Sequence, residues 1–148
     1  LNLKMQGFGT PSCIVRKAGD LNTLHIQTFN STEKYIIGKY DLEILTLPRI
    51  YLNKVDIAQS KTTTIEIPQS GNVTITKPSE GPASIYLDEN GKFTFVCNLN
   101  TFLRQETFAL QPGRYRVEYR PMTAKESVYT IEKTFKVEAG TSLQVGIN

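Results

Sequence analysis

The chain has no tryptophan, a single histidine and only two cysteines. Each scarcity closes off a class of chemistry. Cys13 and Cys97 stand in no CxxC pair and beside no histidine cluster, so a zinc centre is not indicated. One bridge between them would suit an oxidising compartment; two small buried hydrophobes is the preferred reading. Without tryptophan, an aromatic platform for sugars loses a principal residue. No apolar run approaches the ~20 residues of a membrane helix. The opening residues alternate rather than form an apolar block, so no signal peptide is read there. The chain opens on Leu1, as a mature fragment or an excised piece would.

Charge of one sign is also missing. Lysine and arginine number 17 and aspartate and glutamate 14, a formal net charge of +3. The two signs are interspersed, whereas a nucleic-acid binder shows a basic patch or stripe. Hydrophobic residues make up 39% and charged residues 21%, which excludes a disordered chain and leaves an ordinary globular one.

What is present is alternation. Almost no stretch has helical periodicity, while period-2 runs of Thr, Ile, Val, Tyr and Phe recur between Gly, Pro, Asn and Asp. The chain also resembles itself. Gly9, Ser12 and Gly19 stand against Gly81, Ser84 and Gly91 at constant spacing. "GKYDLEI" (Gly38 to Ile44) matches "GRYRVEY" (Gly113 to Tyr119), and "VDIAQSKTTTIEI" matches "FKVEAGTSLQVGI". The spacing widens only between strands, where insertions are tolerated.

The expectation is therefore an all-β protein of two domains, residues 1–68 and 71–148, divided near "PQSGN". About six strands are expected in each. In the first copy they fall near residues 1–6, 12–17, 23–29, 39–47, 51–57 and 62–67. In the second they fall near 73–77, 83–88, 93–98, 114–121, 131–138 and 142–147. A unit of this size lies near the lower limit for an independent core.

"LQPGRYRVEYRP" and "IIGKYDLEILTLP" read as the same folding device. Gly113 is expected at positive φ, which a Cβ resists, and Pro112 pre-sets the turn before it. Tyr115, Val117 and Tyr119 then face the core, with Arg116, Glu118 and Arg120 toward water. Gly38 does the same for Tyr40, Leu42 and Ile44. A tyrosine just after such a corner can bury its ring and still satisfy its hydroxyl on nearby backbone. "DENGK" (Asp88 to Lys92) reads as an Asn-Gly hairpin rather than a calcium loop.

Chemistry-bearing groups do not gather. Leu24 and Ile26 are expected inward, placing His25 on the outer face. Phe93, Phe95, Cys97 and Leu99 are expected to share one core face. A Cys97–His25 pair would then join a buried group to an exposed one, which is no basis for a triad. No glycine-rich phosphate loop opens a helix. No spacing selects a carboxylate pair. The tripeptides "NST" and "NVT" match the glycosylation acceptor but are too short to carry weight. No cofactor and no enzymatic role are expected.

Binding is better supported. Tyr86 stands out of phase with Ile85 and Leu87. "LTLPRIY" (Leu45 to Tyr51) is apolar on both faces, with Leu45 and Leu47 matching Arg120 and Met122 of the second copy. Leu45, Leu47, Tyr51 and Tyr86 are thus expected contact residues, for the other copy or for a partner. Of these, the other copy is preferred.

"FALQPGRYRVEYRP" and "YIIGKYDLEILTLP" resemble the Leu-x-Pro-Gly-x-Tyr strand entry of prealbumin-like β-sandwich modules, which include carboxypeptidase regulatory-like and collagen-adhesin B-type repeats. "YDLEILTLPRIY", "LQPGRYRVEYRP" and "AKESVYTIEKTFKVEAGTS" resemble the C-terminal region of von Willebrand factor A-domain proteins of Gram-negative envelopes. The resemblance implies two tandem prealbumin-like or immunoglobulin-like β-sandwiches in a cell-envelope (periplasmic or surface) or secreted protein. It implies a non-catalytic accessory role, supporting a neighbouring domain or binding another protein. A carbohydrate-binding module is the alternative. The A-domain's Asp-x-Ser-x-Ser motif is absent here, so no metal site carries over. The Lys–Asn isopeptide bond of adhesin repeats does not carry over either. The nearest acid, Glu118, is expected to point outward, and no Lys–Asn pair is picked out.

Overall fold

The computed structural model describes residues 1–5, 11–121 and 130–147. Gly9, Met122 and the terminal Asn148, used above, lie outside them. The described residues are all-β, and the chain divides into two compact units, Leu1–Gln69 and Ser70–Asn148.

In the first unit the strands are β1 (Asn2–Met5), β2 (Ser12–Lys17), β3 (His25–Thr28), β4 (Ser31–Thr32), β5 (Gly38–Ile44), β6 (Ile50–Ile57) and β7 (Thr64–Ile67). They form a three-stranded sheet, β4-β1-β7, and a four-stranded sheet, β3-β2-β5-β6. In the second unit they are β8 (Gly71–Thr76), β9 (Ala83–Glu89), β10 (Lys92–Asn98), β11 (Gln105–Leu110), β12 (Gly113–Tyr119), β13 (Ile131–Val137) and β14 (Ser142–Gly146). Their sheets are β11-β8-β14 and β10-β9-β12-β13. Strand for strand, the second unit repeats the first. Even the pair that departs from antiparallel recurs: β1 runs parallel to β7, and β8 runs parallel to β14. Each unit is a β-sandwich whose two sheets bury their facing sides.

Two strands were not expected, β4 and β11. β4 spans two residues. β11, "QETFAL", places Glu, Gln and Ala where strand formers are usual. Its sheet position, not its composition, makes it a strand: it pairs with β8 along its whole length.

The first core joins Leu1, Leu3 and Met5 to Cys13, Val15, Phe29, Tyr40, Leu42 and Ile44. In the second unit Val73, Ile75, Ile85, Leu110, Tyr115, Val117 and Tyr119 are wholly buried. One cation is buried with them. Lys77 is 1% exposed, and its Nζ donates to the carbonyls of Gly81 (2.8 Å), Asn100 (2.8 Å) and Thr101 (3.4 Å). Desolvation lowers its pKa. The three carbonyls satisfy an ammonium that would otherwise be costly to bury, and they tie two loops to the end of β8.

Two core expectations are overturned, and both concern strand phase. Phe93 and Phe95 are 39% and 54% exposed, on the outer face. β10 carries a bulge: Phe95 pairs with Tyr86, whereas Cys97 pairs with Ile85, so Val96 is the extra residue. One added residue moves everything before it to the opposite face. In and beside β3, Leu24 and Ile26 are 49% and 57% exposed, while Gln27 and Phe29 are buried. His25 therefore lies in phase with the core-facing side, opposite buried Val15, although at the sheet's end it remains exposed. Gln27 can occupy a core position because its Nε2 donates to the carbonyls of Leu1 and Ser31, and its Oε1 accepts from Tyr35.

Candidate functional site

The two glycine–tyrosine corners fix one end of each unit. Gly38 and Gly113 have φ of 157° and 156°. The following rings, Tyr40 and Tyr115, are buried at 3% and 0% exposure. Tyr40 donates its hydroxyl to the Ile36 carbonyl and Tyr115 to the Gln111 carbonyl, each four residues upstream. Burial pushes the Tyr115 phenol well above its ordinary pKa, so it remains a donor. Pro112 sits half-buried ahead of Gly113. These groups are committed to folding.

The outer face of the second unit's four-stranded sheet carries an aromatic group. Tyr86 and Phe95 meet edge to face, with ring centroids 6.0 Å apart. The Arg116 guanidinium lies 3.8 Å from the Phe93 ring centroid. It also pairs with Glu118 at 2.7 Å and Glu132 at 3.5 Å. Its Nε is buried without a hydrogen-bond partner. Glu118 does face outward, and its carboxylate is taken up by Arg116.

On the same face of the first unit, Glu43 is the hub. It accepts from Arg16 at 3.0 Å and from Arg49 at 2.6 Å, with the Tyr51 hydroxyl at 3.4 Å. The Arg16 hydrogen bond, with Arg49 in support, holds the Glu43 carboxyl below its ordinary pKa despite opposing desolvation. Tyr51 is 63% and Leu45 36% exposed, and Leu47 is half-buried before a cis Leu47–Pro48 bond. Leu45, Leu47 and Tyr51 thus gather around the β5–β6 connection of the first unit, while Tyr86 belongs to the second.

Sequence reasoning missed a concave feature. At the corner end of the first unit, a cleft of about 320 Å³ is lined by Lys17, Leu24, His25, Glu33, Lys34, Tyr35, Ile36 and Tyr40. Its floor is aromatic: Tyr35 lies 5.4 Å from Tyr40 and 6.1 Å from His25, centroid to centroid. Tyr35 is anchored by a 3.0 Å hydrogen bond to buried Gln27. Burial, the leading cause, pushes its phenol up to about 12, so it too stays protonated at neutral pH. The signal available in the sequence was length on one side only: the connection before His25 is longer than its counterpart in the second copy, whereas the Tyr35 segment matches residues 108–112 in length and differs in residue type.

Both cysteines are free thiols. Cys13 is fully buried and its pKa is pushed up to about 11, chiefly by desolvation, which makes it a packing residue at neutral pH. Among the described residues no group of three or more His, Cys, Asp or Glu side chains could hold a metal ion. No helix among them is long and apolar enough to cross a membrane. Compared with known protein families and with curated proteins, the chain gives no match.

Proposed function

We propose that the chain is a non-catalytic interaction module of a bacterial cell-envelope or secreted protein, built from two prealbumin-like sandwiches that bind a protein partner or support a neighbouring domain. The observation that carries this reading is where large apolar side chains meet water. Leu21 (94%), Ile36 (81%), Ile37 (61%) and Leu24 (49%) are exposed in two connections at one end of the first unit. Leaving such residues in solvent forgoes about 1.5–3 kcal/mol each relative to burial, and grouped exposure of this kind marks interaction surfaces. The resemblance of both corner motifs to envelope-protein repeats supports the setting.

Carbohydrate binding is the second reading, and Tyr86 is its best residue. The arrangement of the rings favours it less. A sugar stacks on an open ring face, whereas Phe93 is overlain by Arg116, and Tyr86 meets Phe95 at 72°.

Peptide display on the immobilised 148-residue chain, run beside a glycan array, separates the two. The interaction reading expects an enriched peptide family whose synthetic members bind stoichiometrically. Glycan binding abolished by Tyr86→Ala, with no peptide enriched, would replace it with the sugar reading. A hydrolytic activity lost on changing a few polar residues would overturn both.

A further inference from the structure

The two units share one scaffold, so what one has and the other lacks is informative. At the corner end, the hairpin of the second unit closes through residues 90–91, and β11 reaches β12 through residues 111–112. In the first unit the same two connections are residues 18–24 and 33–37. Only the first is longer chain: residues 31–38 and 106–113 are equally long, so 33–37 stand where the second unit has 108–112. The longer connection carries Leu21 and Leu24, and the equally long one presents Ile36 and Ile37 where the second unit has Gln111 and Pro112. The second copy forms the same sandwich with a two-residue turn in place of 18–24, so that longer connection is not part of the shared scaffold; loops set on a rigid frame are where binding is usually placed.

The longer connection is held in place. Gly19 N–H donates to the Asp41 carboxylate at 3.0 Å, Asn22 N–H to Asp20 at 3.0 Å, and Leu24 N–H to the Val15 carbonyl at 2.9 Å. Across the cleft, Tyr35 is fixed by Gln27. The site is therefore preorganised, which lowers the ordering cost of binding.

Its lining is net positive. Lys17 and Lys34 line the cleft with His25, against the single acid Glu33. Among the described residues, no salt bridge engages Lys17 or Lys34. A cleft of about 320 Å³ is at the small end for a ligand pocket. The exposed aliphatic side chains extend beyond its lining, to Leu21 and Ile37. The occupant must then be larger than the hollow: one group enters, and its neighbours cover the rim.

We propose that this cleft receives a segment of a partner polypeptide in which a carboxylate side chain is flanked by aliphatic side chains. The carboxylate sits between Lys17 and Lys34 over the aromatic floor. The flanking aliphatics pack on Leu21, Leu24, Ile36 and Ile37. The inference rests on the interaction reading given above and assigns it a place and a chemistry.

Two blocked pentapeptides test it by NMR on the isotopically labelled 148-residue chain. Both have leucines at the outer positions, with aspartate at the centre of one and lysine at the centre of the other. The aspartate peptide is expected to shift the amides of His25, Tyr35 and Ile36, and the lysine peptide to leave them in place. Removing one ammonium, as in Lys17→Ala, is expected to weaken binding about two- to fivefold, as for an exposed ion pair. The double variant Lys17→Glu, Lys34→Glu changes only exposed side chains and is expected to reverse the preference. Equal shifts with both peptides, or no shift with either, would overturn the proposal. Shifts confined to Tyr86 and Phe95 would overturn this site while leaving the interaction reading intact. A display selection that enriches nothing would count against both.

Discussion

At the scale of the residue, most polar groups that look available are already engaged. Tyr115 is the clearest case. Its hydroxyl donates to the Gln111 carbonyl, with its ring stacked on Phe135 at 5.6 Å. Tyr115→Phe keeps the ring and strands a buried acceptor. It should cost about 1–2 kcal/mol, read as a lower urea midpoint with an unchanged slope. An unchanged midpoint would mean that the hydroxyl does not anchor the corner. Glu43 follows the same logic with charge. Its folded pKa is depressed, so its contribution is present above the unfolded carboxylate value and is lost as pH falls through the folded one. Neither residue is spare for chemistry, and the exposed lysines of the cleft stand apart from them for that reason.

At the scale of the element, alternation was a good guide to where strands lie and a poorer guide to which side they show. β2, β5, β6, β9, β12 and β13 fall close to the runs read from sequence because Val, Ile and Tyr alternate cleanly there. Both phase errors arose where a non-local event intervened. In β10 an extra residue at Val96 reverses the phase, and nothing in "FTFVCNL" announces a bulge. In β3 the side taken as inward, Leu24 and Ile26, is the exposed one, because a glutamine with complete hydrogen bonding takes the core position. β11 was missed because sheet pairing overrode weak propensity. The cleft was missed for a related reason: its walls come from connections, whose conformation is set by contacts distant in sequence. Close backbone approach was likewise invisible. A Cβ on Gly81 would lie 2.2 Å from the Arg120 carbonyl oxygen and 3.0 Å from the Tyr119 ring. Gly81 also accepts from Lys77. Gly81→Ala should therefore force the 77–82 segment off the end of β12. A drop in melting temperature larger than that of Tyr115→Phe is expected, and a melting temperature equal to the parent's would contradict this packing.

At the scale of the whole molecule, a single sandwich pattern occurs twice, and under the proposal above its first copy is equipped at one end for binding. The duplication was legible because corners, hairpins and parallel closing strands leave local sequence signatures. The elaboration was legible as extra length before His25 and, at Ile36 and Ile37, only as a change of residue type against Gln111 and Pro112. The most direct measurement replaces residues 18–22 of the full chain, which keeps His25 opposite Val15, with the Asn-Gly turn that closes β9 and β10. That turn has both residues at positive φ, 54° at Asn90 and 86° at Gly91, as a two-residue hairpin requires. If the longer connection is an addition to a complete scaffold, the variant should unfold cooperatively, with its midpoint within about 8 °C of the parent. It should also lose the preference for the aspartate peptide. A variant with no cooperative transition would show that the connection belongs to the fold itself, and the central claim would fail.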